Sequence, residues 1–274
     1  MYKGVQINLL VPFSLNLEQK MSNPTAAIIV IGDEILSGRT KDKNIGWLAE
    51  QLFELGIDLC EARVIPDNRE TIISTVLYFS SEYDLVFTSG GIGPTHDDIT
   101  TEAVAAAFDK PVIRHPDAEA VLLKHYANTD LEFNAARQKM ADIPLDADLI
   151  DNPLSAAPGF ILHNVHVLPG VPSILQAMFE GLRAKLPGGV MMTRITVQCS
   201  SGEGNIAVIM ERVQSEYDGI SVGSYPWFKP GNFGTAVVVS GLDAVIAGKA
   251  ADDIANAVLE MGVSAHIVMP GDTA

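Results

Sequence analysis

From Ala26 onward the chain alternates between short unbroken apolar runs and longer stretches in which apolar residues recur every three or four positions. The run AAIIVI predicts a first strand, and Ile45, Leu48, Leu52 and Leu55 predict a helix closed by Gly56. IDLCEARVI predicts a second strand; PDN turns the chain, and Ile72, Ile73 and Val76 mark a helix reaching about Ser81. LVFT, Leu85 to Thr88, is too short and too uniformly apolar for an amphipathic helix, so it predicts a strand buried on both faces. SGGIGPTHDD follows it and opens a helix over ITTEAVAAAF. Residues Asp109 to Asp146 are expected to add helices, and DLI begins a further strand before the loop NPLSAAPGF. FILHNVHVLPG predicts a hairpin turning at His163 and Asn164, and Pro172 starts a helix over VPSILQAMFEGLRAKL.

Strands separated by single helices define an α/β fold: a three-layer α/β/α arrangement around a mostly parallel sheet. The rhythm changes at PGG, Pro187 to Gly189. Beyond it RITVQCS, GNIAVIMERVQSEY, ISVGSYPWF, TAVVVSG, AVIAGKAADDIANAVLEMG and AHIVMP give the order β-α-β-β-α-β, that of a small α+β ferredoxin-like unit. The expected domains are therefore 25–187 and 188–274, after an N-terminal extension over 1–24. Met21 resembles a natural start, and Asn8, Pro12 and Ser14 interrupt the apolar part of the preceding segment, which argues against a secretory signal.

Composition narrows the partners. A formal charge of −16 argues against a surface that tracks a phosphate backbone, so no nucleic-acid partner is expected. An anionic ligand would need local help from metal ions or helix N-termini. Cys60 and Cys199, without a CxxC, suggest neither a disulfide framework nor a cysteine zinc site and fit a reducing cytoplasm; the chain has no run long enough to span a membrane.

Chemistry belongs where parallel strands end and loops run into helix N-termini. In SGGIGPTHDD, Gly90, Gly91 and Gly93 permit positive φ and close backbone approach, so successive amides can form a nest suited to phosphate. Thr95 or Asp98 can cap the following helix, and Asp97 and Asp98 offer hard oxygen ligands for a divalent ion. Asp33 and Glu34 end the first strand, Asn44 stands near the start of the next helix, and Asp67 and Asn68 end the second strand. Each alone suits a turn or cap; together they suit metal-assisted phosphoryl chemistry. The dinucleotide fingerprint is absent because His96 stands where its third glycine would be, and no P-loop, HExxH or GxSxG occurs. His115, His125, His163, His166 and His266 lack ligand spacing, and Trp227 and Phe228 are expected to pack in a core.

GDEILSG with Asn44, SGGIGPTHDDIT, NPLSAAPGF and LPGVPS resemble, in order, the signatures of the molybdopterin-binding-like domain of the competence/damage-inducible protein A (CinA) family. The resemblance spans about Ala26 to Phe179, and VGSYP, Val222 to Pro226, resembles the family's following small domain. It implies a domain related to those that bind molybdopterin, and an association with hydrolysis of dinucleotide pyrophosphates such as ADP-ribose or FAD. The family's amidohydrolase domain is not expected in the 86 residues after Gly188. Ser155-Ala156 stands where many relatives have Gly-Thr, and Ile174 where many have Glu.

On this combined basis the expected function is a metal-dependent nucleotide pyrophosphatase, with Asp33, Asp97 and Asp98 catalytic and Asp33, Asp67 and Asp98 binding Mg, Mn or Co, with room for a monovalent cation. Gly32, Glu34, Asn44, Ser89, Gly90, Gly91, Gly93, Pro94 and Thr95 are the expected substrate contacts, with Pro158, Gly159, Pro169, Gly170 and Pro172 walling the nucleoside. The alternatives are a molybdopterin-binding protein of molybdenum-cofactor metabolism and a non-catalytic nucleotide-binding regulator. A small nucleotide or pterin ligand and a homodimer are the expected partners, the exposed sheet edges of the ferredoxin-like part offering the dimer contact.

Overall fold

A computed structural model describes residues 23–268. The extension expected over 1–24 lies outside the described residues except for Asn23 and Pro24, as do Met269 and Pro270 of the last predicted strand.

The first sheet is built from β1 (Thr25–Ile31), β2 (Asp58–Ile65), β3 (Leu85–Ser89), β6 (Asp148–Ile150), β7 (Gly159–Leu162) and β8 (Val165–Leu168), in the order β2-β1-β3-β8-β7-β6. The first four in this order run parallel; β7 is antiparallel to both neighbours. The apolar run of β1 is explained by its central place, because alternate residues face opposite layers. Ala27, Ile29 and Ile31 enter one core with Ile72, Val76 and Phe79 of α3 (Arg69–Glu82), Ala103 and Val104 of α4 (Thr100–Ala107), and Leu122 of α5 (Pro116–Tyr126). Ala26, Ile28 and Val30 enter the other with Leu48 and Leu52 of α2 (Asn44–Glu54) and Leu175 and Phe179 of α7 (Pro172–Arg183). The expected three-layer α/β/α domain is present. DEIL of the first loop forms a single turn, α1 (Asp33–Leu36).

The stretch 109–146 departs from the expectation of helices alone. Besides α5 and the short α6 (Ala135–Gln138), it contains β4 (Val112–Arg114) and β5 (Asp142–Pro144), paired antiparallel. Three-residue strands carry too little sequence to show a period.

The C-terminal part has β9 (Thr193–Cys199), α8 (Glu203–Glu216), β10 (Ile220–Lys229), β11 (Asn232–Gly241), α9 (Ala244–Glu260) and β12 (Ala265–Val268). The strand order β10-β11-β9-β12, antiparallel throughout, is ferredoxin-like, and Ala247, Ala250, Ala251 and Ile254 of α9 pack into its core. Phe228 does not join that core: it is 80% exposed near the tip of the β10–β11 hairpin, beyond the cover of the helices, whereas Trp227 is half-buried against Gly234. Among the described residues no helix is long and apolar enough to cross a membrane.

Candidate functional site at the switch point

After β1 the chain passes to β2 on one side and then crosses back to β3 on the other, so the carboxyl ends of β1 and β3 flank a topological switch point. A cavity of about 470 Å³ opens there. Ile31 of β1, Ser89 and Gly90 at the end of β3, Asp67 after β2, and Pro169 and Gly170 after β8 all line it.

Two glycines shape the floor. Gly90 (φ 112°) and Gly91 (φ 70°) are consecutive positive-φ residues, and a side chain at Gly90 would strike the Ile31 carbonyl. The Gly90 amide donates to the Leu168 carbonyl at 3.1 Å; Thr100 donates its amide to the Gly91 carbonyl (2.9 Å) and its hydroxyl to the Gly90 carbonyl (3.0 Å). Among the described residues the amides of Gly91, Ile92 and Gly93 donate to no protein acceptor, which leaves three neighbouring donors beside the cavity. Neither Thr95 nor Asp98 caps α4, whose N-cap residue is Ile99 without a side-chain cap. The Asp98 carboxylate turns back instead, accepting the Thr95 amide at 2.8 Å and also the Thr95 hydroxyl. It therefore holds its own loop as well as lining the cavity.

Asn44, the first residue of α2 and only 4% exposed, ties three elements together. Its Nδ2 donates to the Ser89 hydroxyl (2.8 Å) and the Gly170 carbonyl (2.9 Å), while its Oδ1 is buried and unpaired. Asp42 supports it by accepting the amides of Asn44 and Ile45. Asp42 escaped the sequence reading, although an Asp two residues before a helical run is a capping signal.

Glu34, Asp42, Asp67, Asp97 and Asp98 bring five carboxylates to the cavity, against Lys41 and Lys43. Asp67 accepts the Asp33 amide at 2.9 Å, yet its carboxyl is held above the usual range, first by burial and then by the neighbouring charges of Glu34, Asp33 and Asp97. Among the described residues no three His, Cys, Asp or Glu side chains converge as a preformed metal cage.

The remaining expected residues fall nearby or outside. Glu34, Asn44, Asp67, Ser89, Gly90, Gly91, Gly93, Asp97, Asp98, Pro169, Gly170 and Pro172 line the cavity; Gly32, Asp33, Pro94 and Thr95 do not. Gly32 lies beneath the Glu34 carboxylate. The APGF segment does not wall the cavity: Pro158 faces a small separate pocket behind the loop, and Gly159 is buried at the start of β7. The strand order places β7 two positions from β3, roughly 10 Å away. Asn152 folds this segment, accepting the amides of Leu154 and Ser155 and donating to Ser155 and the Ala157 carbonyl. His96 is fully on the surface.

Fold and site together define a doubly wound domain with a positive-φ glycine turn at its switch point, followed by a small antiparallel domain. Comparison with known proteins agrees: residues 27–187 match the family model described as "Probable molybdopterin binding domain", and residues 190–266 match "FAD synthase, middle domain". A CinA-like protein of Cyanothece sp. is 37% identical over 58% of this chain and 39% of its own. A protein of Pyrobaculum calidifontis is 32% identical over 74% of this chain and 81% of its own. The solved structure of CinA from Thermoplasma acidophilum, titled as of unknown function, matches 60% of this chain and 98% of that one at 33% identity and TM-score 0.55. The chain belongs to the CinA-like family of proteins with a molybdopterin-binding-type domain. It spans under half the length of the CinA-like proteins of Cyanothece sp. and Sulfurihydrogenibium sp..

Proposed function

We propose that the switch-point cavity binds a dinucleotide diphosphate such as ADP-ribose or FAD and hydrolyses its phosphoanhydride with a divalent metal. The observation that carries this reading is the set of three unpaired amides at Gly91, Ile92 and Gly93 beside an acidic cavity of about 470 Å³. Amides in such a turn suit phosphate oxygens, and the volume suits a small-molecule ligand. The surplus of carboxylates would repel a bare diphosphate, so a cation must accompany it.

The residues fit that cation in one particular way. Magnesium keeps few protein ligands, often one or two carboxylates completed by phosphates and water, so the lack of a three-residue cage among the described residues suits an ion that arrives with its substrate. Asp67 and Asp98, which line the cavity, would hold it, with Asp97 placing water; Asp33, expected as a ligand and catalytic group, does not line the cavity and would act only through its amide on Asp67. The ion would supply charge neutralisation and a polarised phosphorus. Pro169, Gly170 and Pro172 would receive the nucleoside.

The test is release of AMP from ADP-ribose or FAD by the purified chain with Mg²⁺, Mn²⁺ or Co²⁺; no turnover across that panel refutes hydrolysis. A second reading, molybdopterin binding without cleavage, is favoured by the family match over 27–187 and by the unpaired Asn44 Oδ1, which could accept a pterin N–H. Tight molybdopterin binding with no hydrolysis would select it. Stabilisation by ADP-ribose without turnover would select a non-catalytic regulator. We also propose a homodimer, which a monomeric mass in light scattering at micromolar concentration would reject.

A further inference from the structure

We propose that Lys139 is a positioning residue that holds residues 92–99 in the shape that leaves the amides of Gly91, Ile92 and Gly93 free for an anion. The link to a ligand rests on the function proposed above; the hold on the loop does not.

The loop between β3 and α4 has no regular structure of its own. Its two ends are tied to the fold, by Gly90 to Leu168 and by Thr100 to Gly90 and Gly91. Ile92 and Ile99 pack against the first core, and between them the backbone closes on itself through the Asp98 amide to the Thr95 carbonyl (3.3 Å) and the Thr95 amide to the Asp98 carboxylate (2.8 Å). Among the described residues, Lys139 is the one side chain from outside the loop that hydrogen-bonds to residues 92–99. Its ammonium donates to the Asp98 carbonyl at 2.7 Å and the Thr95 carbonyl at 3.4 Å, and lies 3.4 Å from Glu102 Oε1 at the start of α4. Two of its donors thus meet backbone carbonyls, and its charge is paired with a carboxylate.

The support beneath Lys139 is firm. The next two residues anchor it: Met140 packs against the first core, and Ala141 is fully buried with its carbonyl accepting the His115 amide at 2.9 Å. Asn134 caps α6 just before it. Glu102 Oε2 is buried and unpaired, so loss of the ammonium would leave this carboxylate without its counter-charge. With the carbonyls of Thr95 and Asp98 held, the peptide planes that follow them cannot rotate freely, so the segment after Gly93 is fixed at its far end and restrains the turn that carries the three unpaired amides. Lys139 reaches the expected site residues Thr95 and Asp98 only through their backbone carbonyls, so it acts through the loop.

The test compares Lys139→Met, which keeps the aliphatic stem, with Lys139→Arg, which keeps the charge. Amide hydrogen exchange of the ligand-free proteins reads the loop directly. Lys139→Met should raise exchange at the two hydrogen-bonded amides of the loop, Thr95 and Asp98, by about tenfold, the equivalent of one lost charge-assisted hydrogen bond, with the strands unchanged. It should also weaken ADP-ribose binding in the presence of Mg²⁺ by a similar factor, and Lys139→Arg should recover part of both. Unchanged loop exchange in Lys139→Met overturns the proposal. So does a uniform rise across the whole chain, which would make Lys139 a stabiliser of the fold, and so does a loosened loop with unaltered ligand affinity. If the wild-type chain binds none of ADP-ribose, FAD or inorganic pyrophosphate with metal, the proposed function fails, and the exchange comparison alone decides whether Lys139 holds the loop.

Discussion

Replacing Gly90 by alanine should damage this protein more than the same change three residues on, at Gly93. At Gly90 the backbone has φ 112°, and the added methyl would meet the backbone carbonyl of Ile31, the last residue of the adjacent strand β1. A backbone atom at a strand end cannot step aside as a side chain can. The strained φ costs an L-residue about 1–3 kcal/mol, and parting two packed strands adds a similar amount, so the loss should be roughly 3–5 kcal/mol. For a chain of this size that lowers the melting temperature by roughly 10 °C. At Gly93 the backbone is not left-handed, and the methyl would lie 2.7 Å from Asp98 Oδ2, the movable end of a side chain. That change should cost under about 1 kcal/mol while loosening Asp98 from Thr95. Thermal melts of the two variants, followed by circular dichroism, decide the matter. Equal melting temperatures for Gly90→Ala and Gly93→Ala would refute the claim that β1 and β3 clamp the turn at the switch point.

Other outcomes follow from the same geometry. Asp98→Ala should lower both loop order and turnover, because the carboxylate also accepts from Thr95; Asp98→Asn, which retains an acceptor, should melt near wild type. If Asp98 binds the metal, Asp98→Asn should still lose turnover by roughly a hundredfold or more, the effect of removing several kcal/mol of charge stabilisation. His166 is buried and stacked on Phe87 at 4.9 Å with its Nδ1 unpaired, and burial pushes its imidazole below the usual histidine range. The unfolded chain takes up this proton first, so stability is full above about pH 6.5 and falls below it, by up to about 1.4 kcal/mol per pH unit until the folded-state value is reached. Urea midpoints at pH 7.5 and 5.5 should show a smaller difference in His166→Leu than in wild type, and equal differences would reject the assignment.

Much of the first domain was legible because its strands carry their burial in their composition. AAIIVI and LVFT are apolar throughout, and only a strand covered on both faces by helices can hide such a run. The glycine turn was legible for a related reason, since Gly90 and Gly91 follow a buried strand and precede a helix. What escaped depends on strand order and on long-range pairing. APGF was expected to wall the pocket because its loop follows the predicted strand DLI, but β8 and β7 stand between that strand and β3. Lys139 lies 41 residues from Asp98 in sequence, inside a stretch expected to be helical, and no local pattern marks its reach. Phe228 was assigned to a core by hydrophobicity alone, whereas the hairpin carries it past the helices that would cover it.

The charge balance of the cavity makes its two proposed ligands dependent on each other. Five carboxylates face it, with Lys41 and Lys43 as the opposing charges. A diphosphate arriving alone gains the three free amides but meets that negative field. A divalent ion arriving alone meets attractive charge but no preformed cage among the described residues, and Asp98 is already engaged by Thr95. Each ligand removes the obstacle to the other: the ion neutralises the carboxylates for the phosphates, and the phosphates complete the ion's oxygen shell. ADP-ribose in EDTA, or Mg²⁺ alone, should therefore shift the melting temperature by under about 1 °C, while both together should shift it by several degrees, as expected for a ligand well above its Kd. A full shift by ADP-ribose in EDTA would mean that Lys41, Lys43 and the amides suffice, and the metal would lose its place in the site.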